Sequence, residues 1–214
     1  MNNALLIGLA AVGALASGCG NLERSRDTGN PAVAPVTLAQ QVCSNCHGLT
    51  GNATSPNIPN LAAQPEAYLV AQLTYFKSHG RRDPAGFEYM WGLSRSLTDK
   101  QIEGLAAYFA AQTHERQPIE SEPARIDAGK AIFDNGVPQA NVPACATCHG
   151  PEGNGVATFP RLAGQHADYV VKQLIVFQRT EERPAGSVMK TVAHDLSPQN
   201  IRDVAAYVQA MSGS

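Results

Sequence analysis

The feature that most constrains this chain is a repeat. Cys43-Ser44-Asn45-Cys46-His47-Gly48 returns as Cys145-Ala146-Thr147-Cys148-His149-Gly150, 102 positions further on. More pairs follow in the same order. Pro59-Asn60-Leu61 matches Pro160-Arg161-Leu162, and Tyr68, Gln72, Leu73 and Phe76 match Tyr169, Gln173, Leu174 and Phe177. Pro84-Ala85-Gly86 matches Pro184-Ala185-Gly186, Met90 matches Met189, and Ala106-Ala107-Tyr108 matches Ala205-Ala206-Tyr207. The offset drifts from 102 to 99, as changes of loop length produce. Solenoid repeats are shorter, about 20–50 residues, so this is duplication of a whole domain. The units are expected at 37–112 and 124–214, joined by a polar linker at 113–123 that carries Pro118 and Pro123.

The periodicity within each unit is helical. Thr98 followed by Gln101 opens a helix through a capping box, and Ile102, Leu105, Ala106 and Phe109 share one face. In the second unit Ser197 caps, Pro198 suits the first helical position, and Ile201, Val204, Ala205 and Val208 repeat the stripe. Helices are also expected over Glu66 to Lys77, Ala167 to Gln178 and Arg125 to Asn135, the last ending at Gly136. No useful strand-like alternation appears. The expected class is therefore all-α. Two or three amphipathic helices make a thin core for about 80–90 residues, so something else should fill each centre.

The C-x-x-C-H motif supplies a candidate. Cys43 with Cys46, and Cys145 with Cys148, stand three positions apart on a tight turn. Two thiols so placed can each form a thioether with one haem vinyl group. The next residue, His47 or His149, then presents an imidazole nitrogen to the iron. A zinc site would need two further ligands per copy, and the pairs lie 99 positions apart from Cys46 to Cys145, against about 15–20 for paired knuckles. A thioredoxin-type dithiol belongs in a βαβ frame, and a disulfide across two residues is strained. Two covalently bound haem c groups are the expected cofactors.

Iron held by one His takes a sixth ligand. Of the four methionines, Met1 is the initiator and Met211 lies at the C-terminal end. Met90 and Met189 occupy equivalent places, 43 and 40 residues after His47 and His149, and each 18 residues before the matching Tyr108 or Tyr207. Both follow a Pro-Ala-Gly turn and are expected in loops rather than on a core stripe, where Met is ordinarily a gap-filler. His79, His114, His166 and His194 have no counterparts in the other copy and are weaker candidates. Thioether sulfur favours Fe(II) and raises the potential. Six-coordinate iron leaves no open site for substrate, which suits an electron carrier rather than an enzyme.

The N-terminus is of another kind. Ala4 to Ala16 is an uncharged apolar run, too short for the roughly 20 residues of a spanning helix. It fits a secretory signal at 1–18 and export to the periplasm. Leu15-Ala16-Ser17-Gly18-Cys19 resembles the lipobox of bacterial lipoproteins, which implies membrane anchoring by a lipid on Cys19. Ordinary cleavage nearby would instead leave Cys19 a spare thiol or part of a discarded peptide. Residues 19–36, with Gly29, Pro31 and Pro35, read as a flexible tether. A formal net charge of -2, with no basic run longer than Arg81-Arg82, argues against a nucleic-acid partner.

From about Thr37 to Ala210 the chain resembles the cytochrome c4 family, dihaem class I c-type cytochromes of bacteria. The likeness rests on both C-x-x-C-H-G motifs, the Pro-x-Leu segments, the Tyr-x-x-x-Gln-Leu helices and the Met–Tyr spacing. It implies two tandem class I cytochrome c domains related by pseudo-twofold symmetry, with haem propionates close together across the interface. It implies that the carbonyls of Pro59 and Pro160 orient the axial His rings, and that Arg82 and Arg183 are equivalents placed to pair with propionates or in surface ion pairs. It also implies electron delivery from a quinol-oxidising complex to a terminal oxidase. A dihaem subunit of a dehydrogenase, such as flavocytochrome sulfide dehydrogenase, has a similar tandem frame and is the second reading. A dihaem peroxidase is the third, and the matched Met pair argues against it.

Overall fold

The computed structural model describes residues 24–213 except 117, 120 and 180. Residues 1–18, expected to be a secretory signal, and Cys19 lie outside the described residues. Among those described, regular structure is helical apart from two isolated bridges, Val137 with Val142 and Val156 with Phe159.

In the first unit the chain enters through α1 (Pro35–Leu38), passes through a π-helical segment (Ala39–Cys43) and continues as α2 (Ser44–His47). One continuous helical run therefore carries the chain into the first Cys pair. Next come α3 (Glu66–Lys77), a second π segment (Gly86–Met90) continuing into α4 (Trp91–Ser94), and α5 (Asp99–Ala110). The second unit repeats this with α6 (Pro123–Asn135), α7 (Ala146–His149), α8 (Ala167–Arg179), α9 (Ser187–Ala193) and α10 (Pro198–Ala210). Thr98 and Gln101 form the expected capping box, and Asn200 closes a matching one with Ser197.

The stripes pack as their spacing requires. Leu38, Leu69, Ile102, Leu105, Ala106 and Phe109 form the first core, and Ile132, Phe133, Leu174, Phe177, Val204 and Val208 lead the second. Burial of the Leu, Ile, Val and Phe side chains among them stabilises each by about 1.5–3 kcal/mol. In the second unit α6 crosses α10 at Gly129, where an added Cβ would stand 2.0 Å from the Asp203 carbonyl oxygen. In the first unit the glycine is on the other helix: Gly104 of α5 receives the ring of Pro35.

Three expectations need correction. Residues 24–36 do not hang free, because Gln101, only 2% exposed, donates from Nε2 to the carbonyls of Asn30 (3.0 Å) and Val33 (3.1 Å). A buried amide must find partners, and this one ties the segment to α5. Met90 and Met189 lie on helical turns rather than in loops: Met90 ends the second π segment and Met189 sits inside α9. The Pro-Ala-Gly turn sets the φ that starts the next helical turn instead of ending one. Third, the spatial equivalent of Arg183 is Arg81, not Arg82. Arg81 and Arg183 stack on the equivalent rings of Phe76 and Phe177, at 4.6 and 4.5 Å, while Arg82 is exposed.

Candidate functional site

Each C-x-x-C-H motif ends a helix at its His, and Gly48 or Gly150 follows with φ of +76° or +82°. That left-handed turn is open to Gly at little cost. In the first unit it is also crowded, since a Cβ on Gly48 would stand 2.3 Å from the Asn52 carbonyl oxygen. The turn sends the chain round a loop that closes on itself. The Gly51 carbonyl accepts from the amides of Leu61 and Ala62, and the Gly153 carbonyl from those of Leu162 and Ala163.

Closure brings a proline carbonyl back over each histidine. His47 Nδ1 lies 2.9 Å from Pro59 O, and His149 Nδ1 lies 2.9 Å from Pro160 O. A carbonyl can only accept, so Nδ1 carries the proton and Nε2 keeps its lone pair. Burial holds both imidazoles below their ordinary pKa, against the opposing pull of the carbonyl, and so favours the neutral ring. A neutral, oriented imidazole with a free Nε2 is what an iron ligand requires.

None of the four motif cysteines is paired in a disulfide. Before any bond is made to them, burial pushes the Cys43 and Cys145 thiols up to about 11 and so disfavours the thiolate. That suits conversion to an uncharged thioether and opposes a thiolate metal site or a reactive dithiol. Among the described residues no three His, Cys, Asp or Glu side chains gather as a metal-binding group. Each Cys pair with its carbonyl-held His fits covalently attached haem.

The two candidate sulfurs sit in different settings. Met189 is half-buried against the second core. Met90 is half-buried where the second π segment passes into α4, and its carbonyl accepts from Ser94 Oγ at 2.6 Å. Beside it the ring of His79 stacks on Trp91 at 4.7 Å and on Phe87 at 5.2 Å, with Nε2 buried and unbonded. Met211 packs on the second core and beside Gly153, a gap-filler. His166 Nε2 donates to Ala53 O (2.9 Å) in the other unit, and His194 is exposed beside Asp195.

Sequence reasoning missed the polar seam between the units. Gln64 brackets the backbone of Arg161: Arg161 N donates to Gln64 Oε1 (3.0 Å), and Gln64 Nε2 donates to Arg161 O (2.8 Å). Gln165 brackets Asn60 in the same way, at 2.8 and 3.0 Å. All four residues are buried. Leu61-Ala62-Ala63-Gln64 against Leu162-Ala163-Gly164-Gln165 was the available signal. A cluster of crossed pairs adds to the seam. Arg81 reaches Gln72 (2.9 Å), Gln173 (3.2 Å) and Tyr169 OH (3.5 Å), while Arg183 reaches Gln72 (3.1 Å) and Gln173. Asp83, fully buried, accepts from Arg81 Nε at 2.7 Å. Burial would raise its carboxyl pKa, but Arg81 holds it below the usual range. Arg81 stays firmly cationic: Tyr169 and Asp83 outweigh the burial that opposes its charge.

An all-helical duplicated fold with a haem-type site in each half defines a c-type cytochrome. The family model for cytochrome c matches residues 34–112 and again 126–212. Cytochrome c-552 of Acidithiobacillus ferridurans is 39% identical over 181 residues, 84% of this chain and 77% of that protein. Cytochrome c4 of Pseudomonas aeruginosa is 38% identical over 174 residues, covering 79% and 84%. The solved structure of Acidithiobacillus ferrooxidans cytochrome c4 superimposes with a TM-score of 0.73 at 39% identity, covering 78% of this chain and 97% of that one. A thiosulfate dehydrogenase electron acceptor of Stutzerimonas stutzeri is 31% identical over 173 residues, covering 79% and 78%. The chain belongs to the cytochrome c4 family. It is a dihaem electron carrier, with one covalently bound haem c per domain and redox proteins as partners. No described helix is long and apolar enough to cross a membrane.

Proposed function

We propose that the chain carries electrons through a bacterial respiratory chain, from a quinol-oxidising complex to a terminal oxidase. Haem 1 would be held by Cys43 and Cys46, with His47 and Met90 as the iron ligands. Haem 2 would be held by Cys145 and Cys148, with His149 and Met189 as the iron ligands. The observation that carries this assignment is the same 2.9 Å His–Pro carbonyl contact in both copies. The bound haem supplies a one-electron Fe(III)/Fe(II) couple, and the chain's residues set its terms. The Pro59 and Pro160 carbonyls hold each ring by Nδ1 and so leave Nε2 available to a metal. Arg81, Arg183 and Asp83 together carry one net positive charge at the seam, suited to acidic groups such as propionates.

The domains span 37–112 and 124–214 with 113–123 between them, in a periplasmic protein anchored by a lipid on Cys19. A dehydrogenase is the alternative electron donor, favoured by the likeness to a thiosulfate dehydrogenase electron acceptor. The deciding experiment is a redox titration of the membrane-extracted protein, followed by stopped-flow mixing of the oxidised protein with each purified donor. Two haems of raised potential, each losing its weak iron–sulfur charge-transfer band on Met→Ala replacement, are expected. A band that survives both Met90→Ala and Met189→Ala refutes the ligand assignment. Intact mass showing a free N-terminus refutes the lipid.

A further inference from the structure

The Pro59 carbonyl and the Asn60 amide are the two ends of one peptide group. The carbonyl end accepts from His47 in the first domain, while the amide end donates to Gln165 Oε1 of the second domain at 2.8 Å. The peptide joining Pro160 to Arg161 is held in the mirrored way, by His149 at its carbonyl and Gln64 Oε1 at its amide (3.0 Å). We infer that each interdomain glutamine tunes the iron of the opposite domain, Gln165 acting on the first haem and Gln64 on the second, through the peptide that holds the axial histidine. Gln64 and Gln165 are positioning residues; neither reaches the metal. The inference rests on His47 and His149 being the iron ligands.

The sign follows from polarisation along a chain of hydrogen bonds. An amide proton drawn toward a glutamine oxygen leaves its own carbonyl oxygen more negative, and the bond accepted there strengthens by about 10–30%. A stronger pull on Nδ1–H makes the imidazole a better electron donor, which favours Fe(III) and lowers the potential. The buried seam removes the water that would otherwise compete: Asn60, Gln64, Arg161 and Gln165 are each at most 7% exposed. Loss of a glutamine therefore raises the potential of the opposite haem. Simple loosening of the seam acts the other way, because water reaching a haem stabilises the ferric form. The direction of the shift thus separates the two causes.

The test uses the full-length holoprotein. Gln64→Met and Gln165→Met are titrated by spectroelectrochemistry, with the haems assigned from the methyl resonances of the oxidised protein. Gln165→Met is expected to favour reduction of the first haem roughly two- to fourfold, about 18–36 mV at 59 mV per tenfold change. The second haem stays near its wild-type value, and Gln64→Met gives the reverse pattern. A shift confined to the glutamine's own domain, an equal shift of both haems, a downward shift or no shift overturns the inference. Should the Met variants fail to fold, Gln165→Glu keeps the length and offers a stronger acceptor. It is expected to lower the first haem's potential, and a rise overturns the inference. Haem content and the ring-current-shifted histidine and methionine ligand resonances of the reduced protein are read on the same samples. If these fail, the ligand assignment has failed; if they hold while the crossed pattern is absent, only the present inference falls.

Discussion

Replacing Arg81 with Met removes the main partner of a carboxylate that has nowhere to go. Asp83 is 0% exposed and Arg81 6%, and the guanidinium meets both carboxylate oxygens, Nε at 2.7 Å and Nη2 at 3.4 Å. Breaking a buried pair at one end costs about 3–5 kcal/mol, mostly for the charge left behind. Arg183 also pulls the Asp83 carboxyl down, and Gln173 Nε2 donates to it at 3.5 Å. These partners remain, so the loss should sit near the lower end, about 3 kcal/mol. Urea unfolding of the holoprotein by far-UV circular dichroism measures it. In the wild type the Asp83 pKa is depressed, so its contribution is present above the unfolded value near 3.9 and is lost as pH falls through the folded value. In the variant burial dominates and the folded pKa rises above the unfolded one. The deficit is then full above the folded pKa and shrinks on acidification toward pH 4. Adding Asp83→Asn should restore most of the lost stability, since the amide keeps the size and an acceptor for Gln173. A loss under about 1 kcal/mol, a deficit independent of pH, or no recovery in the double variant would refute the reasoning.

Gly129→Ala places a methyl 2.0 Å from the Asp203 carbonyl oxygen and should cost at least about 1–3 kcal/mol, read as a lowered midpoint for the second domain. Gly92→Ala, with nothing within 4 Å of the added methyl, should stabilise by roughly 0.5–1 kcal/mol in the same assay. His114 is held down to about 4, first by burial and then by Arg161 and His166. Its folded pKa lies below the unfolded value of about 6.5. Stability it supports is thus present above pH 6.5 and drains away toward pH 4; His114→Gln should flatten that limb of the stability profile. Met90→Ala and Met189→Ala should each lower the potential of one haem while both haems stay attached, checked by redox titration and haem content.

Periodicity and motif spacing were enough to read much of this protein in one dimension. The Cys pairs, the His that follows each, the helical stripes and the Thr98 and Ser197 caps are local patterns, and local chemistry determines them wherever the chain later travels. The duplication made the two halves visible because each copy is the other's control. Where the copies diverge, that control weakens. The loop before Pro84 aligned Arg82 with Arg183, yet the ring beneath Arg183 is Phe177, whose equivalent carries Arg81. Only packing decides such a match, because an arginine side chain is long enough to reach the same place from a neighbouring position.

The tertiary structure alone decided what lies on the far side of each peptide. No spacing rule links Gln165 to Asn60, 105 positions away, or Gln64 to Arg161, 97 away. Those contacts exist because two folded domains bury a polar seam, and a buried amide must be answered by whatever the opposing surface presents. Haem attachment is written into a few consecutive residues. The surroundings of each motif histidine are completed by the other half of the molecule.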